Sequence, residues 1–359
     1  WRRRLVAEKK KVLYIVEAMG GGVFTYIVDL ANELVDIYDM YIAYGIRKQT
    51  PLDYVSYFNN EVHLIKVNNF EREIDLVKDI KAYIEIKKIA ENIEPDIIHF
   101  HSSKAGVIGR IALRKSKAKL FYTPHGYSFL MDNCSQLRRT IYKMIERLCA
   151  ISNCTTICCS KGEYEESLLV TQNTTYVNNG INTSKINEIL ANVKKNDNEF
   201  RVFTIGRICA QKNPKLFNDV AKKMPNVKFI WIGDGELRGE LHCSNIEITG
   251  WINEIKVIEK AVNADVFLLP SLWEGLPISL LEAMYMRKTC IVSDVVGNRD
   301  VIKNGINGYI CHNIDEYVSV INEIKRNSCI LVTENAHREV QDKYNTVYQA
   351  EQYIQIYED

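Results

Sequence analysis

Two glutamates, Glu274 and Glu282, stand eight positions apart in LWEGLPISLLEAMYM, around a Gly-Leu-Pro turn that leads into an apolar stretch. Carboxylates so placed can move protons or accept hydrogen bonds from hydroxyls. Pro277 fits the first turn of a helix, where a missing N–H costs nothing. The free backbone N–H groups of Leu276 to Leu280 then point at an anion, with the positive end of the helix behind them. Upstream, TIGRICAQK presents Arg207 and Lys212 just past an apolar run. A guanidinium forks onto phosphate oxygens and an ammonium adds a point charge, so the pair suits a diphosphate. Its bland alternative is a solvated loop. In YTPHGYSF, His125 follows another apolar run, and HFHSSKAG follows a third. Gly20 to Gly22 form a turn in which backbone can approach a ligand closely or simply reverse.

An anion site with a carboxylate on either side suits a molecule that is phosphate in the middle and rich in hydroxyls at both ends, as a nucleotide sugar is. The plainer reading is a solvated glutamate pair flanking a capped helix. No G-x-G-x-x-G fingerprint follows the first apolar run, and WIGDGELRG has its third glycine one place late, so it reads as a Gly-Asp-Gly turn. No Asp-x-Asp occurs, and neither cofactor nor metal is expected.

These residues need elements to hold them. Strands are expected at 11–16, 40–45, 61–67, 96–101, 119–125 and 155–160, with helices between them such as 76–93. The alternation pauses at the polar stretch 191–200 and restarts with strands at 201–206, 227–233, 246–250, 264–270 and 289–294. Helices are expected at 213–223, near 235–242, at 253–262 and at 278–287, and a long helical pattern runs from 335 to the end. Strands alternating with helices give a parallel sheet covered on both faces. The fold class is therefore α/β, with two Rossmann-like, doubly wound domains facing a cleft. The first spans 1–190 and the second 198–335, with a helix from about 340 to 359 completing the first. Ligands of such sheets bind outside the carboxyl ends of the strands, where the residues above fall.

Composition sets bounds. The chain has 359 residues, too many for one ordinary core, and a net charge of +1, which gives no pull toward nucleic acid. Ten cysteines are scattered without zinc-type spacing and read as small buried residues in a reducing compartment. No apolar run approaches the roughly 18 residues of a membrane span. The opening WRRRLVAEKKK is basic with no apolar signal core behind it, either a non-native remnant or an arm that touches a membrane. From His101 to Arg147, ten Lys or Arg, among them Lys104, Arg110, Arg138, Arg139, Lys143 and Arg147, face two acids, Asp132 and Glu146. QLRRTIYKMIERLC sets basic and apolar residues at helical spacing, which suits an anionic membrane surface. The alternative is an ordinary solvated basic face.

The ordered set of motifs resembles the retaining glycosyltransferases of family 4 (glycosyl transferases group 1), which have the GT-B fold. It comprises the glycine-rich first loop, PDIIHFHSS, TPHG, VNNGIN, GRICAQK, IGDGEL, EGLPISLLEA and SDVVGNRDVIKNGINGYI, and covers most of the chain. The resemblance implies that Arg207 and Lys212 bind the donor diphosphate and that Glu274 contacts donor-sugar hydroxyls. It places Glu282 on the ribose and the backbone of Gly275, Leu276, Pro277 and Ile278 against phosphate and sugar. His125 would lie by the sugar, and Gly21 and Gly22 near phosphate and acceptor. One departure, QKNP where the family often has Lys-Gly, leaves the lysine in place. The expected reaction moves a hexose or N-acetylhexosamine from a nucleotide diphosphate sugar, a UDP-sugar by family frequency, to a polyprenyl-diphosphate-linked or other glycan acceptor. Capsule, O-antigen or exopolysaccharide synthesis is the expected setting, on the cytoplasmic face of the plasma membrane. A sugar-nucleotide epimerase, a GDP-mannose-dependent mannosyltransferase and a non-catalytic binding subunit are the alternatives.

Overall fold

The computed structural model describes residues 8–47, 49–71, 75–130, 135–151, 153–195, 199–327 and 329–359. Residues 1–7 of the basic opening stretch, residues 196–198 of the expected linker, and Asp132 lie outside the described residues.

Two parallel sheets carry the chain. The first holds β1 (Lys11–Met19), β2 (Asp39–Ile46), β3 (His63–Lys66), β4 (Ile97–His101), β5 (Lys119–Thr123), β6 (Cys154–Cys158) and β7 (Thr174–Tyr176), in the order β3-β2-β1-β4-β5-β6-β7. The second holds β8 (Arg201–Ile205), β9 (Lys228–Ile232), β10 (Ile246–Ile248), β11 (Val266–Leu269), β12 (Thr289–Ser293) and β13 (Tyr309–Cys311), in the order β10-β9-β8-β11-β12-β13. Both are doubly wound. The order reverses between β1 and β4 in one sheet and between β8 and β11 in the other, and a crevice opens at each reversal. In the central strands, Val12 to Glu17 of β1 and Val266 to Leu269 of β11 are buried on both faces, as a parallel sheet clad in helices requires.

Helices α1 (Gly21–Leu34), α2 (Leu76–Ile93), α3 (Ser103–Ala112), α4 (Gln136–Cys149), α5 (Lys161–Ser167) and α6 (Thr183–Asn192) belong to the first half of the chain. The second half has α7 (Pro214–Lys223), α8 (Glu254–Val262), α9 (Ile278–Tyr285), α10 (Val296–Val301), α11 (Ile314–Arg326), α12 (Ile330–Lys343) and α13 (Thr346–Glu358). Asparagine is the recurrent cap: Asn213, Asn253, Asn313 and Asn345 each accept a hydrogen bond from the first turn of α7, α8, α11 and α13.

Sequence and structure differ in several places, among them α10 and α11, which lie where no element is expected from the sequence. The helix expected near 235–242 is a single 3-10 turn at Arg238–Glu240, because the glycines before it hold a turn instead. The long terminal pattern breaks at Tyr344, where Asn345 caps a new helix. The edge strands β7 and β13, three residues each, carry too little pattern to stand out.

The break lets α13 leave the second sheet and pack on α1. Ile181 anchors the turn, donating its N–H to the Tyr344 carbonyl (2.9 Å) and accepting from Thr346 N (3.1 Å). Two buried tyrosines then enter the first domain. Tyr353 shares a 2.5 Å hydrogen bond with Tyr26. Tyr357 OH sits 2.6 Å from His99 Nδ1 and donates to Tyr14 OH (3.2 Å). A Tyr357→Ala substitution opens an aromatic-sized void and strips His99 of a partner. We expect it to cost about 3–5 kcal/mol, read as a lower urea midpoint for the transition that reports the first domain.

Candidate active site

Glu274 follows β11 and Lys212 follows β8, so both sit at the reversal point of the second sheet. The carboxylate is buried but fully partnered. Oε1 accepts from Lys212 Nζ (2.7 Å) and Ser271 Oγ (2.7 Å), and Oε2 from Gln211 Nε2 (3.2 Å). Gln211 also braces the loop, donating from its side-chain Nε2 to the Trp273 carbonyl (3.1 Å) and accepting at its own carbonyl from Leu272 N (2.8 Å). Lys212 is thus an ion-pair partner of Glu274, where the sequence suggested only a phosphate ligand. The loop is preorganised: a buried charge is tolerable when donors surround it.

Arg207 lies five residues before Lys212 and has a looser partner, Glu236, at 3.8 Å. Its loop rests on the Gly-Asp-Gly turn. Ile208 N donates to the Asp234 carbonyl (2.9 Å), Leu237 N to the Ile208 carbonyl (3.1 Å) and Trp231 Nε1 to the Gly206 carbonyl (2.8 Å). IGDGEL is therefore a buttress for Arg207.

Pro277 precedes α9 as its cap residue rather than opening its first turn. Leu280 N bonds the Pro277 carbonyl (3.1 Å), and Leu276 offers its own carbonyl across the cleft to Asn179 Nδ2 (2.7 Å). Asn179, from VNNGIN, is thereby a strut between the domains. Gly275 packs against Gly126, where an added Cβ would come 3.2 Å from the Gly126 nitrogen.

His125 follows β5 at φ +55°, in the left-handed region, with Gly126 at +95°. Its imidazole turns inward. Nε2 meets His101 Nδ1 (3.2 Å) and Nδ1 meets Cys159 Sγ (3.4 Å), while Tyr26 stands edge-on at 4.6 Å. Burial pushes its pKa down to about 3, so the ring is neutral at any physiological pH. The turn reaches the cleft through its backbone.

Glu282 is placed apart from this cluster, on the side of α9 near α1. Burial, then Glu254 and Asp29, push it up to about 8, with partial relief from Lys185. Burial likewise raises Asp29 to about 7. Lys185 pairs with Glu254 and lies 5.3 Å over the Tyr57 ring. At neutral pH Glu282 holds its proton, so it can donate a hydrogen bond as well as accept one. Gly21 and Gly22 open α1 with free space beside them.

A family model described as Glycosyltransferase Family 4 matches residues 20–185, and one described as Glycosyl transferases group 1 matches residues 185–345. An Escherichia coli relative, UDP-Gal:alpha-D-GlcNAc-diphosphoundecaprenol alpha-1,3-galactosyltransferase, is 30% identical over 341 residues, 84% of this chain and 85% of that one. The chain belongs to glycosyltransferase family 4. A Campylobacter jejuni relative, N,N'-diacetylbacillosaminyl-diphospho-undecaprenol alpha-1,3-N-acetylgalactosaminyltransferase, is 22% identical, covering 78% of this chain and 81% of that one. Among solved structures, sucrose-phosphate synthase from Thermosynechococcus elongatus superimposes with a TM-score of 0.83 at 17% identity, covering 97% and 98% of the two chains. Anabaena HepE in complex with UDP and glucose gives 0.80 at 17% identity, covering 98% and 100%. These two likenesses speak to the fold, two Rossmann-like domains in the GT-B arrangement.

The raised carboxyl of Glu282 gives a signed test. A folded-state pKa above the unfolded value contributes stability that is full below the unfolded pKa and lost as pH rises through about 8. Glu282→Gln removes that dependence. The Tm of the variant should exceed that of the native chain by a margin that is small at acid pH, widens by several degrees as pH rises from about 4.5 to about 8, and stays level above that; parallel Tm curves would contradict it.

Proposed function

We propose that this glycosyltransferase moves a hexose or N-acetylhexosamine from a UDP-sugar to a polyprenyl-diphosphate-linked glycan, with retention of anomeric configuration, in the synthesis of a surface polysaccharide. The observation that carries the reading is the braced Glu274–Lys212 pair at the sheet reversal, with Arg207 beside it. The names of the two bacterial relatives, both of which specify diphospho-undecaprenol acceptors, support the choice of acceptor.

In this reading Arg207, Lys212 and the start of α9 receive the donor diphosphate without a metal. Glu274 orients the sugar hydroxyls. Backbone of Gly275 to Ile278 lies along phosphate and sugar, the His125–Gly126 turn closes over the sugar, and Gly21 and Gly22 leave room for phosphate and acceptor. Glu282 meets the ribose as a protonated carboxyl, able to give and take hydrogen bonds. Charge grows on the leaving diphosphate as the sugar becomes oxocarbenium-like, and preorganised cations are most effective where charge develops. The leaving phosphate then takes the proton of the incoming hydroxyl on the same face.

The acceptor's lipid requires a membrane surface, and α4 supports one. Leu137, Ile141, Met144, Ile145 and Leu148 all point to solvent, with Leu137 70% and Leu148 67% exposed. Arg138 and Arg147 are exposed beside them. The basic face is narrower than the sequence suggested, because Arg110 is buried against Glu146 (2.6 Å) and Lys104 pairs with Asp79 (2.6 Å). Among the described residues no helix is long and apolar enough to cross a membrane. We place the enzyme at the cytoplasmic face of the plasma membrane, with α4 on its anionic surface.

Two measurements test this. A panel of UDP- and GDP-sugars with prenyl-diphosphate-linked acceptors should give UDP release that depends on acceptor, and Lys212→Ala should lower kcat by roughly 100-fold. Isomerised sugar from donor alone would make the chain an epimerase. In liposome flotation, the native chain should float with anionic but not with neutral vesicles, and a Leu137→Ser/Leu148→Ser double variant should stay at the bottom with its Tm unchanged. Equal flotation of the variant removes α4 from the surface contact.

A further inference from the structure

Glu163 is 1% exposed, near the start of α5, and both of its oxygens are committed. Oε1 accepts from Gly126 N at 2.6 Å, and Oε2 from Cys159 N at 2.7 Å. Short N–H···O⁻ contacts of this kind are stronger and more directional than neutral ones. Its own N–H donates to Ser160 Oγ (3.1 Å), which fixes the first turn of α5. One carboxylate therefore joins the ends of two neighbouring strands, β5 with its His125–Gly126 turn and β6 with Cys159.

Everything this carboxylate holds bears on the seam. His125 and Gly126 are consecutive residues in the left-handed region, a conformation that persists at a non-glycine residue only where its surroundings enforce it. Cys159, held through its N–H, lays its thiol 3.4 Å from His125 Nδ1. Gly126, held through its N–H, faces Gly275, the residue directly after Glu274. From the second domain, Asp300 accepts from Gly162 N (3.0 Å), next to Glu163 in the chain. Without the carboxylate, the buried Cys159 N–H and the part-buried Gly126 N–H lose their acceptor and the turn loses its brace.

We propose that Glu163 is a positioning residue for glycosyl transfer. Its carboxylate fixes the His125–Gly126 turn against Gly275 and so sets the approach of the acceptor-side domain to the donor sugar. The proposal rests on the donor-site reading above. It predicts a loss in kcat rather than in donor binding, since Glu163 touches none of the groups assigned to the nucleotide.

The test compares Glu163→Ala, Glu163→Gln and Lys212→Ala in one transfer assay, with UDP affinity and stoichiometry from titration calorimetry. For Glu163→Ala we expect kcat per UDP-binding site to fall by about 30- to 100-fold, with donor KM and UDP Kd within about threefold of native. Glu163→Gln keeps an acceptor for Gly126 N–H but turns a second donor toward Cys159 N–H, and should recover part of the loss. Native kcat in Glu163→Ala, or a fall matched by an equal loss of UDP-binding sites, overturns the proposal. If the alanine variant does not fold, the glutamine variant decides: a reduced kcat at native UDP affinity supports the role, and a native kcat overturns it. Lys212→Ala separates the two readings. If it is impaired while the Glu163 variants are not, only the positioning role falls. If Lys212→Ala binds UDP and transfers at the native level, the donor-site reading fails and the positioning role falls with it.

Discussion

The two domains meet backbone to backbone at Gly126 and Gly275, and the rest of the site depends on that contact. Gly275 has little room for a side chain: a Cβ there would press on the Gly126 nitrogen at 3.2 Å, and one at Gly297 would collide with the Gly275 carbonyl from behind. Three layers of main chain are therefore stacked from α10 through the Glu274 loop to the His125 turn. Around this stack, polar links cross between the domains beside a shared apolar cluster that includes Tyr26, Ile27, Leu276 and Ile278. Asn179 holds the Leu276 carbonyl, Asp300 holds Gly162 N, and Lys185 pairs with Glu254. Polar links between domains are weak individually, and domain interfaces of that kind permit relative motion. The close backbone contact gives such motion a defined end point.

Charge is handled differently on the two sides of α9. At Glu274 the carboxylate has three donors in the structure, and taking away one partner of a buried pair costs about 3–5 kcal/mol, because the other charge is left uncompensated. At Glu282 the surroundings are mostly acidic, and the cheaper solution is protonation. The same residue type thus supplies a fixed anion at one end of the loop and a neutral hydrogen-bonding group further along the helix. For a ligand with a diphosphate at its centre, a neutral carboxyl avoids placing a second negative charge beside the phosphates.

Much of this was legible in the sequence, for physical reasons. Central strands of a parallel sheet are continuous apolar runs, so β1, β4, β8 and β11 stood out, and their ends located Arg207, Lys212 and Glu274. The EGLPISLLEA turn marked the start of α9 to within one residue, since Pro277 cannot lie deep in a helix. What the sequence hid was pairing. Nothing in GRICAQK says that Lys212 turns to Glu274, or that Gln211 braces the loop, because those contacts join residues some sixty positions apart. The inward turn of His125 was also hidden, since its partners His101 and Cys159 come from two other strands. Arg110 counted as a surface cation until its buried partner Glu146 was seen, and Glu163 drew no notice in an ordinary polar helix start.

Helix α4 shows why charge counts mislead where orientation decides. Its polar face contributes Glu146 to the interior, where Arg110 and Tyr122 OH (2.9 Å) meet it, while its leucines, isoleucines and methionine look outward. A helix on a soluble domain ordinarily does the reverse. The buried Glu146–Arg110 pair anchors the helix in this orientation: rolling it to hide the apolar stripe would expel Glu146 and strand Arg110 in a site where the guanidinium stacks 4.0 Å over Tyr122. Exposed apolar area of this kind is a liability in water unless something covers it. The arrangement thus has an energetic cost that the first domain does not recover by itself, and contact with a lipid surface, as proposed for the bound acceptor, would supply the missing burial where the flanking arginines meet anionic headgroups.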